Sequence, residues 1–171
     1  MKLHIQNKFT SELPADPNEI NLPRQVQEAC FSYVLPKKPS NPSLIHASSE
    51  VANAIGLSQE DILSTEFLNI FSGSTIYPET KPFALSYAGH QFGNWAGQLG
   101  DGRAINLTEV VHEKKSYTLQ LKGAGPTPYS RTADGFAVVR SSIREYLCAE
   151  AMHYLGVPST RSLVLMLSGD Q

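Results

Sequence analysis

Two ionisable residues, Lys122 and Glu145, stand at a spacing that suits the binding of phosphate groups. Lys122 ends a predicted strand, and Glu145 lies 23 positions further on, inside a predicted helix. A lysine ammonium oriented by a carboxylate is a fixed positive charge that can neutralise phosphate oxygens. The pair therefore makes nucleotide chemistry the leading hypothesis.

The layout of this pair is that of the small lobe of protein kinases, where a strand lysine pairs with a helix glutamate. A glycine-dense segment upstream, containing Gly97, Gly100 and Gly102, is predicted to turn where a loop over the phosphates would be needed. The Walker pattern fails at Arg103 and the GxGxxG pattern fails at Ile105. A structural turn is therefore favoured over a phosphate loop, although Arg103 could supply a charge-assisted contact.

Two strands are predicted to position the lysine. Residues 103–111 and 116–122 alternate apolar and polar side chains, and the polar segment 112–115 joins them as a hairpin. In the second strand Tyr117, Leu119 and Leu121 share one face, which places Lys122 on the other.

A helix is predicted over Val139–Leu155, with Gly156 as its stop signal. An apolar stripe of Ile143, Tyr146, Leu147 and Tyr154 also contains Glu150, whereas Glu145 lies on another face. Periodicity alone favours Glu150 as the buried carboxylate. Both glutamates therefore remain candidates at this point.

The remaining elements are less regular. Residues 1–47 are rich in proline and are predicted to form an extended, loop-rich lead-in, followed by short helices at Ser49–Ile55 and from Ser58. Residues 161–168 are predicted to be a strand. A strand so close to Gln171 leads us to expect that the chain is part of a longer protein.

Composition narrows the class of protein. The chain has 171 residues, of which 41% are hydrophobic and 18% charged, so it is predicted to fold around a core. A formal net charge of −2 gives no reason to expect nucleic acid or an anionic membrane as partner. Cys30 and Cys148, with no CxxC spacing, fit a reducing compartment, and no targeting signal precedes them, so a cytoplasmic location is expected. The histidines show no metal-binding spacing, and no metal site is predicted in this chain.

Three stretches closely resemble the selenoprotein O (YdiU) family. They are 87–104 (YAGHQFGNWAGQLGDGRA), 121–131 (LKGAGPTPYSR), and 134–135 (DG) with 139–147 (VRSSIREYL). The resemblance is dense over residues 80–168 and looser in the lead-in. It implies a pseudokinase fold that transfers AMP from ATP to Ser, Thr or Tyr hydroxyls of proteins, with the nucleotide flipped and with some members using UTP.

The resemblance also implies roles for individual residues. Lys122 contacts the nucleotide phosphates and is oriented by Glu145. The other implied nucleotide contacts are Gly100, Gly102, Arg103, Asp134 and Gly135. The catalytic base and the ligands of Mg²⁺ or Mn²⁺ are expected downstream of Gln171, so the isolated chain is expected to be inactive.

The sequence is therefore interpreted as an α+β protein. We expect a lead-in over 1–47 and a protein-kinase-like small lobe over 48–171, built from an antiparallel sheet and a packed helix. The expected partners are a nucleotide and protein substrates. The alternatives left open are a noncatalytic nucleotide-binding or protein-interaction domain, and a phosphotransferase of ordinary kinase chemistry.

Overall fold

The structure, a computed structural model, describes residues 1–170, which form an α+β fold. Gln171, the last residue of the predicted small lobe, lies outside the described residues. The helices and strands in chain order are α1 (Lys8–Glu12), β1 (Phe31–Tyr33), β2 (Ser43–Ala47), α2 (Ser49–Ala54), α3 (Gln59–Ile62), α4 (Thr65–Phe71), β3 (Phe83–Gln91), β4 (Asn94–Gly100), β5 (Ala104–His112), β6 (Lys115–Lys122), α5 (Val139–Tyr154) and β7 (Val164–Leu167).

Five strands form the main sheet, in the order β1-β3-β5-β6, with β4 paired to β3. The predicted hairpin of two strands is confirmed as β5 and β6, which pair antiparallel from Ala104 opposite Lys122 to His112 opposite Lys115. Glu113 and Lys114 form the turn with φ of 47° and 64°. Positive φ at both central residues is the geometry that matches the twist of paired strands.

A bulge in β5 explains why its predicted alternation breaks down. The register shifts between Asn106 and Thr108, so Ile105 and Leu107 lie in different hydrophobic clusters. Beyond the bulge Val110, rather than Glu109, is fully buried. In β6 the predicted face is confirmed, because Leu119 is buried and Tyr117 and Leu121 pack against the same cluster.

The larger core lies between the sheet and helices α2 to α4. Its buried members include Leu57, Phe67 and Phe71 from the helical region and Leu107 and Val110 from β5. The predicted N-cap of α3 is confirmed, since the Ser58 hydroxyl accepts from the Asp61 N–H and the Asp61 carboxylate accepts from the Ser58 N–H. This capping box satisfies backbone donors that the short helix leaves free.

The prediction of a turn over the glycine-dense segment was wrong for Gly97 and Gly100, whereas at Gly102 the chain does bend, between β4 and β5. Gly97 and Gly100 belong to β4, which pairs with β3 from Ser86 opposite Gly100 to Gln91 opposite Asn94. The turn lies earlier, at residues 92–93, where both φ angles are positive. Strand pairing uses backbone groups alone, so glycine does not prevent it. A Cβ on Gly100 would lie 2.4 Å from the Tyr129 ring, which explains the glycine by close packing.

The lead-in contributes to both sheets. Its strand β1 pairs with β3 in the main sheet, and β2 pairs with β7 in a second, two-stranded sheet. The predicted strand at 161–168 is thus β7. The division of the chain at residues 47 and 48 stays a prediction.

Helix α5 matches its predicted bounds closely but not its predicted apolar stripe. Ile143, Leu147 and Tyr154 are exposed, and every residue of α5 is at least partly accessible. The helix is held by ion pairs on its polar residues and by the Tyr146 ring, which stands edge-on to His46. The stripe therefore does not pack into the core of the described residues.

Candidate functional site

A cleft of about 460 Å³ lies on the face of β6 opposite the helical core, where Gln120 and Lys122 point. Its walls come from β3 and β4, from the segment after β4, and from the loop that leads to α5. Five of the residues for which the family resemblance implies nucleotide contacts line it: Gly100, Gly102, Arg103, Lys122 and Gly135. The fold thus brings together positions that are far apart in sequence.

Lys122 and Glu145 form an ion pair beside this cleft. The two side chains are 47% and 46% exposed, so neither charge is fully removed from water. The pair leaves the lysine ammonium fixed at the end of β6 and still open to solvent. Such a group can meet a phosphate without first paying the cost of ordering its side chain.

Glu150, the competing candidate, is engaged elsewhere. Arg161 donates to both of its carboxylate oxygens, at 2.8 and 2.7 Å, and the Ser162 N–H donates to it at 3.3 Å. These hydrogen bonds hold the pKa of Glu150 below its usual range. Periodicity favoured Glu150 as the buried carboxylate; its side chain is only partly buried, at 19% exposed against 46% for Glu145. The ion pair with Lys122 is made by Glu145.

The segment after β4 is fixed by Asp101. One carboxylate oxygen accepts from the Leu85 N–H at 3.0 Å and from the Asn106 side-chain amide at 3.1 Å. Burial raises the pKa of Asp101, against the opposing effect of these two donors and of the Lys122 charge. The carboxyl thus ties β3, β5 and the glycine segment together at the floor of the cleft.

The loop before α5 forms a second rigid wall. The Thr127 hydroxyl donates to the Asp101 carbonyl at 2.7 Å, and the Ser130 hydroxyl donates to the Gly102 carbonyl. Thr127 and Ser130 are both buried. We call residues 127–131 the shelf. The shelf is bonded directly to the segment that carries Arg103.

Asp134 and Gly135 lie at the end of this loop. The Asp134 carboxylate accepts from the Phe136 N–H at 3.0 Å and is exposed, so it shapes its own turn at the margin of the cleft. Gly135 is buried with φ of 77°, and a Cβ there would lie 2.1 Å from the Gly125 carbonyl oxygen. The glycine is required by backbone packing, whatever it also contacts.

Sequence reasoning missed several lining residues, notably Asp101, Tyr129 and Arg131. Their positions depend on the shelf contacts, which pair residues from separate loops and give no periodic signal. Arg131, Arg103 and Lys122 supply positive charge to one cleft. The arrangement suits a polyanion such as a nucleoside triphosphate.

Residues 1–170 present neither a metal-binding cluster nor a membrane-spanning helix. No group of three or more His, Cys, Asp or Glu side chains in these residues is placed to hold a metal ion. The cleft residues therefore do not supply a ligand set of their own for Mg²⁺ or Mn²⁺, whose ligands the resemblance places downstream of Gln171. Within the same residues, no helix combines the length and the apolar character needed to cross a membrane.

The family of the chain is shown by its match to a family model. A family model described as "Protein adenylyltransferase SelO" matches residues 20–171. The chain belongs to the SelO family. The resemblance stated from the sequence is confirmed.

Named relatives in the SelO family are nucleotidyltransferases. The protein nucleotidyltransferase YdiU of Flavobacterium johnsoniae is 72% identical over 169 residues, covering 99% of this chain and 32% of that protein. The protein of the same name from Rhodopirellula baltica is 56% identical, covering 99% and 32%. That from Aromatoleum aromaticum is 55% identical, covering 99% and 33%. The chain thus spans about a third of the length of these SelO-family relatives.

Proposed function

We propose that this chain is the nucleotide-binding small lobe, of protein-kinase type, of a protein nucleotidyltransferase. The observation that carries the proposal is the Lys122–Glu145 ion pair beside a cleft that is lined by Arg103 and by three glycines, Gly100, Gly102 and Gly135. The antiparallel sheet and α5 supply the strand and the helix that such a pair requires. Membership of the SelO family supports the same class of reaction.

The proposed reaction transfers AMP from ATP to a Ser, Thr or Tyr hydroxyl of a protein, or UMP from UTP. The hydroxyl oxygen forms a bond to the α-phosphorus, and the bond from that phosphorus to the bridging oxygen breaks. Pyrophosphate leaves, and the hydroxyl proton passes to a base. Lys122 and Arg103 lower the barrier by neutralising charge on the phosphates, and Lys122 is already held by Glu145 before the nucleotide arrives.

The glycines and the ion pair have separate tasks in this proposal. Gly100 and Gly102 let the backbone approach the nucleotide closely, since no Cβ intervenes. Glu145 orients the Lys122 ammonium. We propose that the base and the ligands of Mg²⁺ or Mn²⁺ come from the two thirds of the family's length that this chain does not span.

A chimera tests the reaction. This chain replaces the matching segment of the Flavobacterium johnsoniae relative, and the protein is incubated with ATP labelled at the α- or the γ-phosphate. We expect α-label to be retained on protein and the label to be reduced by Lys122→Ala. Retention of γ-label would support a phosphotransferase instead, and loss of both labels would support a noncatalytic binding or interaction role.

Two controls make the result specific. The unmodified relative shows that the assay detects transfer, and Lys114→Ala removes a lysine at the opposite end of the β5–β6 hairpin. Unlabelled UTP competing with labelled ATP tests which nucleotide is preferred. The isolated chain is expected to show no AMP transfer, and sustained incorporation by it would refute the proposed division of roles.

A further inference from the structure

Arg131, at the end of the shelf, has an unusual backbone conformation. Its φ is 58°, in the left-handed region that arginine rarely adopts. Hydrogen bonds on either side hold it there: the Ser130 N–H donates to the Thr127 carbonyl at 3.1 Å, and the Ala133 N–H donates to the Ser130 carbonyl at 2.9 Å. The backbone of Arg131 is therefore held in this conformation by its neighbours.

The fold does not require the Arg131 guanidinium. The side chain is exposed, and its Nη1 donates a long hydrogen bond, of 3.4 Å, to the Gln91 Oε1. Gln91 ends β3 at the tip of the β3–β4 hairpin, so this contact bridges the mouth of the cleft. A contact of this length to a neutral amide oxygen is readily exchanged for a shorter one to a charged phosphate oxygen.

Arg131 lies between this cleft and a neighbouring cavity of about 420 Å³ that Arg24 and Gln98 also line. Its hydrogen bond to Gln91, which lines the cleft and not that cavity, places the guanidinium on the cleft side.

Arg131 lines the same cavity as Arg103 and Lys122, and Ser130 next to it is bonded to the Gly102 carbonyl. Arg103 and Arg131 are therefore attached to one hydrogen-bonded unit. Two guanidinium groups and one ammonium around a single cleft are suited to the several oxygens of a polyphosphate.

We propose that Arg131 is a nucleotide-binding residue whose guanidinium leaves Gln91 and contacts a phosphate of the bound nucleotide. This inference rests on the proposed function, since it assigns a further contact to the same cleft. It concerns ground-state binding of phosphate, so it is testable without transfer activity.

Titration of the purified 171-residue chain with ATP, followed by calorimetry, tests the proposal. We expect Arg131→Gln to weaken ATP binding by about tenfold to a hundredfold, the range for loss of a hydrogen bond to a charged group. Arg131→Lys keeps the charge but not the planar fork, so its ATP affinity should lie between those of the unaltered chain and Arg131→Gln. Adenosine, which has no phosphate, should bind the unaltered chain and Arg131→Gln equally well.

Lys114→Gln is the matched control, because Lys114 is also an exposed cation with positive φ, at 64°, but lies in the turn at the far end of the hairpin. It should leave ATP affinity unchanged. Urea unfolding of each variant checks that the fold is kept. Arg131→Gln does not relieve the strain of the positive φ, because glutamine, like arginine, has a Cβ.

The outcomes separate the two proposals. If the unaltered chain binds ATP and Lys122→Ala weakens it, but Arg131→Gln does not, the role of Arg131 is overturned and the proposed function stands. If Arg131→Gln weakens the binding of adenosine as much as the binding of ATP, the proposed contact between Arg131 and a phosphate is likewise overturned. If the unaltered chain does not bind ATP, the proposed function itself fails for this chain.

Discussion

Replacement of Lys122 by alanine should separate catalysis from stability. The change removes one partner of the ion pair with Glu145, and the two side chains are 47% and 46% exposed. Ion pairs this accessible contribute about 0.2–1 kcal/mol to folding, because water screens the charges in both states. The free energy of unfolding should therefore fall by no more than about 1 kcal/mol.

The effect on transfer should be several times larger in free energy. Removing a preorganised electrostatic contact from a reacting phosphate lowers the rate by about 10²–10³, or roughly 3–4 kcal/mol. Lys122→Arg should also impair transfer, because a planar fork does not reproduce a compact ammonium. Glu145→Gln should cost less than Lys122→Ala, since it removes only the group that orients the amine.

The two quantities need separate assays. Urea unfolding of the 171-residue chain gives the change in stability, and α-labelled ATP with the chimera gives the rate of transfer at saturating nucleotide. Lys114→Ala serves as the control in both. Near-normal transfer by a well-folded Lys122→Ala would refute the nucleotide role of the lysine. Unfolding of that variant would instead show that the ion pair is structural.

Three further changes give predictions of stability, each measured by urea unfolding. Gly135→Ala should destabilise the chain by at least about 2 kcal/mol, because the new Cβ meets the Gly125 backbone at 2.1 Å and relief needs a shift of the main chain; an unchanged midpoint would contradict this packing. Asp101→Asn should stabilise the fold at neutral pH, since burial raises the pKa of the carboxyl and its ionised form is therefore disfavoured; the gain should disappear as the pH falls below the ordinary aspartate range. Glu150→Gln should have the opposite sign, because hydrogen bonds from Arg161 lower the pKa of the glutamate; its cost should be full at neutral pH and vanish as acid protonates the folded carboxyl.

The elements that carry the ion pair were predictable because their signals are local. Strand β6 shows clean alternation, and α5 has an uninterrupted run followed by Gly156 as a stop. The spacing of Lys122 and Glu145 then indicated the pair, although periodicity could not choose between Glu145 and Glu150. That choice depends on Arg161, which engages Glu150 from the segment after the helix.

Local patterns did not predict the rest of the cleft, because it depends on contacts between distant segments. Gly97 and Gly100 were interpreted as a turn since glycine favours turns, yet β3 provides backbone partners that make them part of a strand. Arg131 carries no local signal at all. Its position follows from hydrogen bonds of the shelf to Asp101 and Gly102, which only the folded chain brings together.

The pairing of β2 with β7 has a consequence for the order of folding. Ser43 lies opposite Leu167, so the second sheet closes a loop that contains most of the chain. Such non-local pairing forms slowly, because the chain loses the entropy of closing the loop before the stabilising contacts between the strands are made. During synthesis, β2 emerges with Leu44 and Ile45 long before β7 exists. We expect β2 to be the last strand to pair with its native partner. It should also be the segment most prone to mispairing during translation.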